Sequence, residues 1–149
     1  MGEPPTTNPN ALRDLWYFQA VAAATVRTLD RALIGTAVTA TQAQVLIAMQ
    51  QTSPLPLSQL GAALSQQPQS ITVVADNLEK AGLVRRVADS VDRRVIRLQL
   101  TEAGRAKAAE AEKVLEAVAM TVMSRLGDTD KAGLRQVPGK LEQQLSSGP

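Results

Sequence analysis

The segment from residue 57 to residue 104 restricts the possible folds most strongly. Leu57, Leu60 and Leu64 are spaced three and four residues apart, which predicts a short helix with one apolar stripe. Residues 65–68 interrupt this pattern, and Pro68 suits the first position of a second helix because it has no N–H to lose there. That helix is expected over residues 68–81 and should end at Gly82, a favourable left-handed cap.

The second helix has two chemically different faces. Apolar side chains lie on one side (Ile71, Val74, Ala75 and Leu78), and mostly uncharged polar ones lie on the other. Amide groups can form two hydrogen bonds to an adenine edge, hydroxyl groups can bond several edges, and a valine methyl can pack on a thymine methyl. The start of the helix also presents free N–H groups to phosphate. The candidate recognition residues are Pro68, Gln69, Ser70, Thr72, Val73 and Asn77, with an ordinary solvated helix face as the alternative.

Residues 83–88 and 95–100 alternate between apolar and polar side chains, which predicts the two strands of one hairpin. Their connecting loop carries Asp89, Asp92, Arg93 and Arg94. An arginine at a loop tip can enter a minor groove, and a nearby aspartate can hold the loop in shape by pairing with another arginine. Arg93 and Arg94 are therefore predicted to contact DNA, with their separate roles left open, and Asp89 and Asp92 are predicted to stabilise the loop.

Positive charge is concentrated in this hairpin. It holds five arginines and two aspartates, an excess of three positive charges, whereas the whole chain carries a formal charge of +2. Such a concentration attracts the phosphate backbone of DNA. Three of these side chains are candidate phosphate contacts, which would set affinity without selecting sequence (Arg85, Arg86 and Arg97).

Three motifs carry a family resemblance: NLEKAGLVRR, then D-x-x-D-R-R at residues 89–94, then VIRLQLTEAG ending at Gly104. Together they resemble the winged helix-turn-helix of the MarR family of bacterial transcriptional regulators. The resemblance implies a homodimer that binds a palindromic DNA operator and, commonly, a small ligand that weakens DNA binding. It also implies a very short strand near residues 54–57.

A long helix is expected from Ala11 to near Gly35. Its apolar residues follow steps of three and four, and the seam is long enough that packing against a partner helix is favoured over a purely internal core. Trp16, Tyr17 and Phe18 are consecutive and cannot all face one surface of a helix. Core packing is the preferred interpretation for any one of these rings, and a place in a ligand pocket is the alternative. The ligand pocket itself is not assigned.

Further helices are expected on both sides of the winged segment. Thr41 and Gln44 fit a capping box for a helix that ends near Thr52. Thr101 should cap a long helix that ends near Leu126, and a last helix should follow Asp128 with four residues on its inner side (Leu134, Val137, Leu141 and Leu145). Pro138 is expected to bend or split that last helix.

The predicted fold class is mainly α with a small β-hairpin. A winged helix-turn-helix DNA-binding domain at residues 39–100 is flanked by helical dimerisation regions at residues 11–36 and 101–146. Residues 1–10 are expected to form a flexible arm, and residues 147–149 a flexible tail.

Composition excludes several function classes. The chain has no cysteine and no histidine, so thiol redox sensing, disulfides, the usual zinc ligands and Ser-His or Cys-His nucleophiles have no basis. No phosphate-binding glycine loop is present, and no cofactor or enzymatic activity is expected. The absence of a long apolar run and of a secretion pattern predicts a cytoplasmic protein without a membrane partner.

The predicted function is a homodimeric, sequence-specific transcriptional regulator of double-stranded DNA. Repression released by a noncovalently bound small ligand is the expected mode. The alternative is a winged-helix module that binds proteins, which would favour a more apolar or acidic recognition face. Val73 is the one large apolar residue on that face, which weakens the alternative.

Overall fold

The computed structural model describes residues 9–64 and 68–146, and within these it describes no side chain for Pro68 or beyond residue 140. The predicted arm up to residue 8, the turn at 65–67, the tail at 147–149 and the side chains of Leu141 and Leu145 therefore lie outside the described residues. The chain divides into two compact units, Met1–Val114 and Leu115–Pro149.

The described residues are mainly helical and contain one small sheet. The helices are α1 (Ala11–Ala32), α2 (Ala40–Gln51), α3 (Leu57–Ala63), α4 (Pro68–Lys80), α5 (Glu102–Met123) and α6 (Asp128–Ser146), with a 3-10 turn at Ile34–Thr36. The strands are β1 (Leu55–Pro56), β2 (Val84–Ala88) and β3 (Ile96–Leu100). This element order confirms the predicted fold class.

The sheet is antiparallel with the order β1-β3-β2, so the strand that comes last in the sequence lies in the centre. Leu98 of β3 faces Leu55 on one side and Arg86 on the other. The short strand expected before the helix pair is present, and the predicted hairpin thus becomes a three-stranded sheet. Leu98 and Leu100 are buried, and they form the core together with Leu60, Leu78 and Met49.

Helix α2 begins two residues earlier than the sequence motif predicted. Its N-cap is Thr39, whose hydroxyl accepts the Gln42 backbone N–H at 3.3 Å while the Gln42 side chain accepts the Thr39 N–H at 2.9 Å. The predicted capping box of Thr41 and Gln44 is therefore wrong. The Asp30 carboxylate accepts the Ala40 N–H at 2.6 Å, and this long-range bond favours the earlier start.

Helix α1 contributes no buried side chain over residues 11–32, all of which are described. Trp16, Tyr17 and Phe18 are 60%, 64% and 47% exposed, so the expectation that any one ring packs in the core of this chain is wrong. The physical reason is that the described residues of this chain cover only the end of the helix, where Leu33 is fully buried.

The second unit contains the end of α5 and all of α6. Helix α5 ends at Met123, three residues before the predicted end, and Asp130 accepts the Gly127 N–H at 3.0 Å where α6 begins. Helix α6 runs without interruption through Pro138, so of the two expected effects of this proline the split is wrong and the bend stays a prediction. Residues 132–136 are exposed, and a carbonyl that loses its partner to the proline can bond water instead. No helix within the described residues combines the length and the hydropathy needed to span a membrane.

Candidate nucleic-acid interface

The two faces of α4 are separated by burial as the sequence predicted. Ile71, Ala75 and Leu78 are at most 2% exposed and attach the helix to the core. Gln69, Ser70, Thr72, Val73 and Asn77 are exposed on the opposite side, where Val73 keeps 58% of its surface. Pro68 begins the helix. The predicted recognition residues other than Pro68 are thus brought together on one accessible helix face.

The end of α4 fixes the direction in which the chain enters the sheet. Gly82 has a φ of 71°, a left-handed conformation that favours glycine. The Leu83 N–H donates to the Leu78 carbonyl at 2.9 Å, and the Gly82 N–H donates to the Glu79 carbonyl at the same distance. These two bonds form a Schellman motif, which reverses the chain directly into β2.

The loop between β2 and β3, residues 89–95, is the wing. The Asp89 carboxylate accepts the backbone N–H groups of Val91 at 2.7 Å and Asp92 at 2.9 Å, and it accepts a further bond from the Arg97 guanidinium. These donors, with the Asp92 N–H contributing most, lower the pKa of Asp89 from 3.8 to about 2. Asp89 is therefore a buried anion that orders the loop.

The other half of the wing is held by Asp92. Its side chain accepts the Arg94 N–H at 3.0 Å, and its carbonyl accepts the Val95 N–H at 2.9 Å. Arg93 and Arg94 are exposed, and among the described residues neither forms an ion pair. Val91 at the tip is 94% exposed, a feature that the sequence interpretation did not single out. The wing thus presents two cations and one methyl-bearing side chain.

The three candidate phosphate contacts have different surroundings. Arg85 is exposed and donates to the Gln99 side chain at 2.8 Å. Arg97 pairs with Asp89 and donates to the Pro54 carbonyl at 3.4 Å, while Arg86 pairs with two carboxylates of α4. Their phosphate contacts stay predictions, and two of the three guanidinium groups already have anionic partners inside the protein.

Arg86, Asp76 and Glu79 form a cluster that connects β2 to α4. Arg86 donates to Asp76 at 2.5 Å and to the Glu79 carboxylate, and its backbone N–H donates to Glu79 at 3.1 Å. The Asp76 hydrogen bond is the main cause that raises the pKa of Arg86 above its ordinary value, and burial opposes it. The sequence interpretation missed this cluster, although the spacing of three residues between the two acids places them on adjacent turns.

The start of α5 lies against the end of α4. The Thr101 hydroxyl is 2.8 Å from the Gly82 carbonyl and 3.0 Å from the Leu83 carbonyl, and it accepts the Gly104 N–H at 2.9 Å. A Cβ on Gly104 would lie 1.9 Å from the Leu83 oxygen, so glycine is needed for this close approach. Thr101 caps α5 as predicted, and the contact also anchors the root of the wing.

Two observations on the described residues concern the binding of metals and small ligands. No group of three His, Cys, Asp or Glu side chains within them could hold a metal ion. An open apolar groove in the second unit is lined by Glu116, Ala119, Met120 and Met123. It contains none of the predicted DNA-contacting residues.

Known proteins are similar to this chain in both sequence and fold. A profile of the MarR family matches residues 38–96. The HTH-type transcriptional repressor MdtR of Bacillus subtilis is 30% identical over 71% of this chain and 68% of its own length. The transcriptional repressor MprA of Escherichia coli is 32% identical over 69% of this chain, and the match spans 58% of its length. The crystal structure of CouR from Rhodococcus jostii bound to p-coumaroyl-CoA superposes with a TM-score of 0.73 at 25% identity, covering 84% of this chain and 88% of CouR.

Proposed function

This chain belongs to the MarR family, and from that premise we propose that it is a homodimeric repressor that binds a palindromic operator and is released by a small ligand. Membership in this family means that the chain is a DNA-binding transcriptional regulator with a winged helix-turn-helix. The dimer, the repression and the ligand response are the proposed parts.

The chemistry of α4 and the wing supports the proposal that these two surfaces contact the operator. The exposed face of α4 offers amide, hydroxyl and methyl groups, and the wing offers Arg93 and Arg94 without ion pairs among the described residues. A recognition helix of this kind enters the major groove, and a basic loop beside it can reach the adjacent minor groove. Gln69 and Asn77 would then select bases, while the wing arginines supply most of the electrostatic attraction.

The dimer proposal rests on α1. Leu12, Leu15, Val26 and Leu33 lie on one face, along a seam that advances by alternating steps of three and four residues through Gln19, Ala22 and Leu29. Leu33 is fully buried, whereas Leu12, Leu15 and Val26 are 48–58% exposed, so a single apolar seam is covered at one end and open along the rest. Burying the exposed half of each open residue is worth about 0.8–1.5 kcal/mol, and a second copy supplies the cover. The second unit, taken by itself, also exposes Met120 and Leu134.

A matched pair of substitutions tests this dimer. Leu15 and Val21 are 57% and 60% exposed, but Val21 lies on the far side of α1 from the seam. We expect Leu15→Lys to shift sedimentation velocity profiles toward the monomer at micromolar concentration, and Val21→Lys to leave the dimer intact. A wild-type protein that sediments as a monomer would contradict the proposal, as would equal effects of the two variants.

The ligand proposal has two supports. CouR, a relative by fold and sequence, was crystallised with p-coumaroyl-CoA. The chain has no cysteine, so the proposed effector does not act through a thiol, which leaves a noncovalent ligand or none. Such a ligand would release DNA by binding better to a dimer whose recognition helices are wrongly spaced, and its effect is limited to the difference between its two affinities.

The deciding experiment is DNA binding by the purified protein, measured by fluorescence anisotropy. The probe is the DNA directly upstream of the protein's own reading frame, and random DNA of equal length is the control. Binding is measured from 50 to 200 mM salt, because a protein with about six to ten phosphate contacts loses about 10³–10⁵-fold in affinity over this range. We expect the upstream probe to bind at least about 10³-fold more tightly than random DNA. Equal affinity for both probes would show that the upstream DNA contains no operator, and equal affinity for every fragment of a genomic library would contradict sequence-specific binding.

A further inference from the structure

We propose that Arg86 acts as a positioning residue, which neutralises the two carboxylates of the recognition helix α4 and fixes the helix against β2, and that it does not act as a phosphate contact. This inference rests on the proposed DNA-binding function. It departs from the sequence-based prediction, which grouped Arg86 with Arg85 and Arg97 as phosphate candidates.

The first support is the position of Asp76 on α4. Gln69, Val73 and Asp76 follow each other at four and three residues, so they form one stripe along the helix. That stripe lies in the middle of the face proposed to enter the major groove. The Asp76 side chain is 46% exposed, so its carboxylate is close to the surface that DNA would cover. An unpaired carboxylate there would be repelled by the phosphates on both sides of the groove.

The second support is the geometry of the guanidinium. Its two Nη atoms donate to different carboxylates, Nη2 to Asp76 at 2.5 Å and Nη1 to Glu79. A planar fork can serve two anions in this way, whereas a lysine ammonium is a point charge with no such fixed geometry. The Arg86 side chain is 31% exposed, and its charge is directed into α4. The group therefore balances acids of the helix before any DNA is present.

The third support is the bond from the Arg86 backbone. Strand β2 is an edge strand, and the Arg86 N–H donates to Glu79 at 3.1 Å instead of to another strand. Glu79 thus accepts from both the backbone and the side chain of one residue. These bonds set the rotation and height of α4 relative to the sheet, and so the direction in which Asn77 and Gln69 point.

The test uses the upstream and random DNA probes with full-length variants. Loss of a phosphate contact would weaken both complexes equally and leave their ratio unchanged. Loss of a positioning residue should lower the ratio, so we expect Arg86→Gln to reduce the preference for upstream DNA by about tenfold or more, and Arg86→Lys to give an intermediate loss. A uniform loss on both probes would overturn the inference while leaving the proposed function intact, whereas a wild type that prefers no fragment of a genomic library over random DNA would contradict the function itself.

A rescue experiment distinguishes neutralisation of Asp76 and Glu79 from a general effect of net charge. Adding Asp76→Asn and Glu79→Gln to the Arg86→Gln variant removes the unpaired acids, and we expect the preference to return to within about threefold of the wild type. The control adds Glu110→Gln and Asp128→Asn to Arg86→Gln, which changes net charge equally but removes acids of two exposed ion pairs on α5 and α6. Equal recovery in both triple variants would overturn the inference. The triple variant also keeps the test valid if Arg86→Gln alone fails to fold.

Discussion

Replacing Gly104 with alanine should strongly destabilise the winged unit. The new Cβ would lie 1.9 Å from the Leu83 carbonyl oxygen and 2.9 Å from its carbon, whereas real Cβ contacts are essentially never below 3.0 Å. The backbone of α5 must therefore move away from Leu83. That movement stretches two bonds to the same carbonyl, from the Thr101 N–H at 3.1 Å and from its hydroxyl at 3.0 Å.

The size of the effect follows from these contacts. Overpacking costs about 1–3 kcal/mol, and each weakened hydrogen bond costs about 0.5–1.5 kcal/mol. The better helix propensity of alanine returns about 1 kcal/mol. The net loss is then about 1–5 kcal/mol, which corresponds to a fall in Tm of about 2–20 °C for a chain of this size.

Thermal unfolding followed by circular dichroism measures this loss, with Gly133→Ala as the matched control. Gly133 also lies within a helix, but a Cβ added there would meet nothing within 4 Å, so the same substitution should leave Tm unchanged or raise it slightly. A Gly104→Ala protein as stable as the Gly133→Ala protein would refute the close approach of α5 to Leu83. A stable variant with normal DNA binding would show that the root of the wing tolerates a shift.

Substitutions in the wing and the recognition helix have three further expected outcomes. Because the pKa of Asp89 is depressed, its charged form stabilises the fold above pH 3.8, and this contribution disappears as pH falls toward 2. The difference in urea midpoint between the wild type and Asp89→Asn should therefore narrow over that pH range. A constant difference would argue against this role of Asp89. Arg93→Ala and Arg94→Ala should each weaken upstream DNA binding by about tenfold and reduce the salt slope by about one, and a double variant that binds as the wild type does at fixed salt would contradict the role of the wing. Gln69→Ala and Asn77→Ala should change sequence preference more than affinity for random DNA, because neither carries charge; a uniform loss would identify them as backbone contacts.

The recognition helix and the wing were predictable because local patterns encode them. The apolar spacing of Ile71, Ala75 and Leu78 determines which face of α4 is buried, and Gly82 marks the end of the helix in the sequence itself. The sequence interpretation needs no knowledge of distant residues to reach these conclusions. The polar face and the charged loop then follow from what the buried residues leave outside.

Features that depend on distant contacts were harder to predict. Two overlapping motifs, Thr39 with Gln42 and Thr41 with Gln44, both satisfy the capping-box pattern, and the bond from Ala40 to Asp30 accompanies the first. The partners of Arg86 are likewise set by how β2 lies against α4. The exposure of the aromatic residues of α1 depends on which surfaces the rest of the chain covers, and this is a property of the folded molecule.

The central place of β3 determines when during synthesis the DNA-binding unit can form. Leu98 pairs with Leu55, and the Leu100 N–H donates to the Ser53 hydroxyl at 3.2 Å, so β3 closes a segment of the chain that contains both α3 and α4. While β3 has not yet emerged from the ribosome, the nascent chain lacks the strand to which both β1 and β2 bond. Such non-local closure slows folding. We therefore expect fragments that end before residue 96 to expose α4 without a fixed orientation and to be readily cut by proteases.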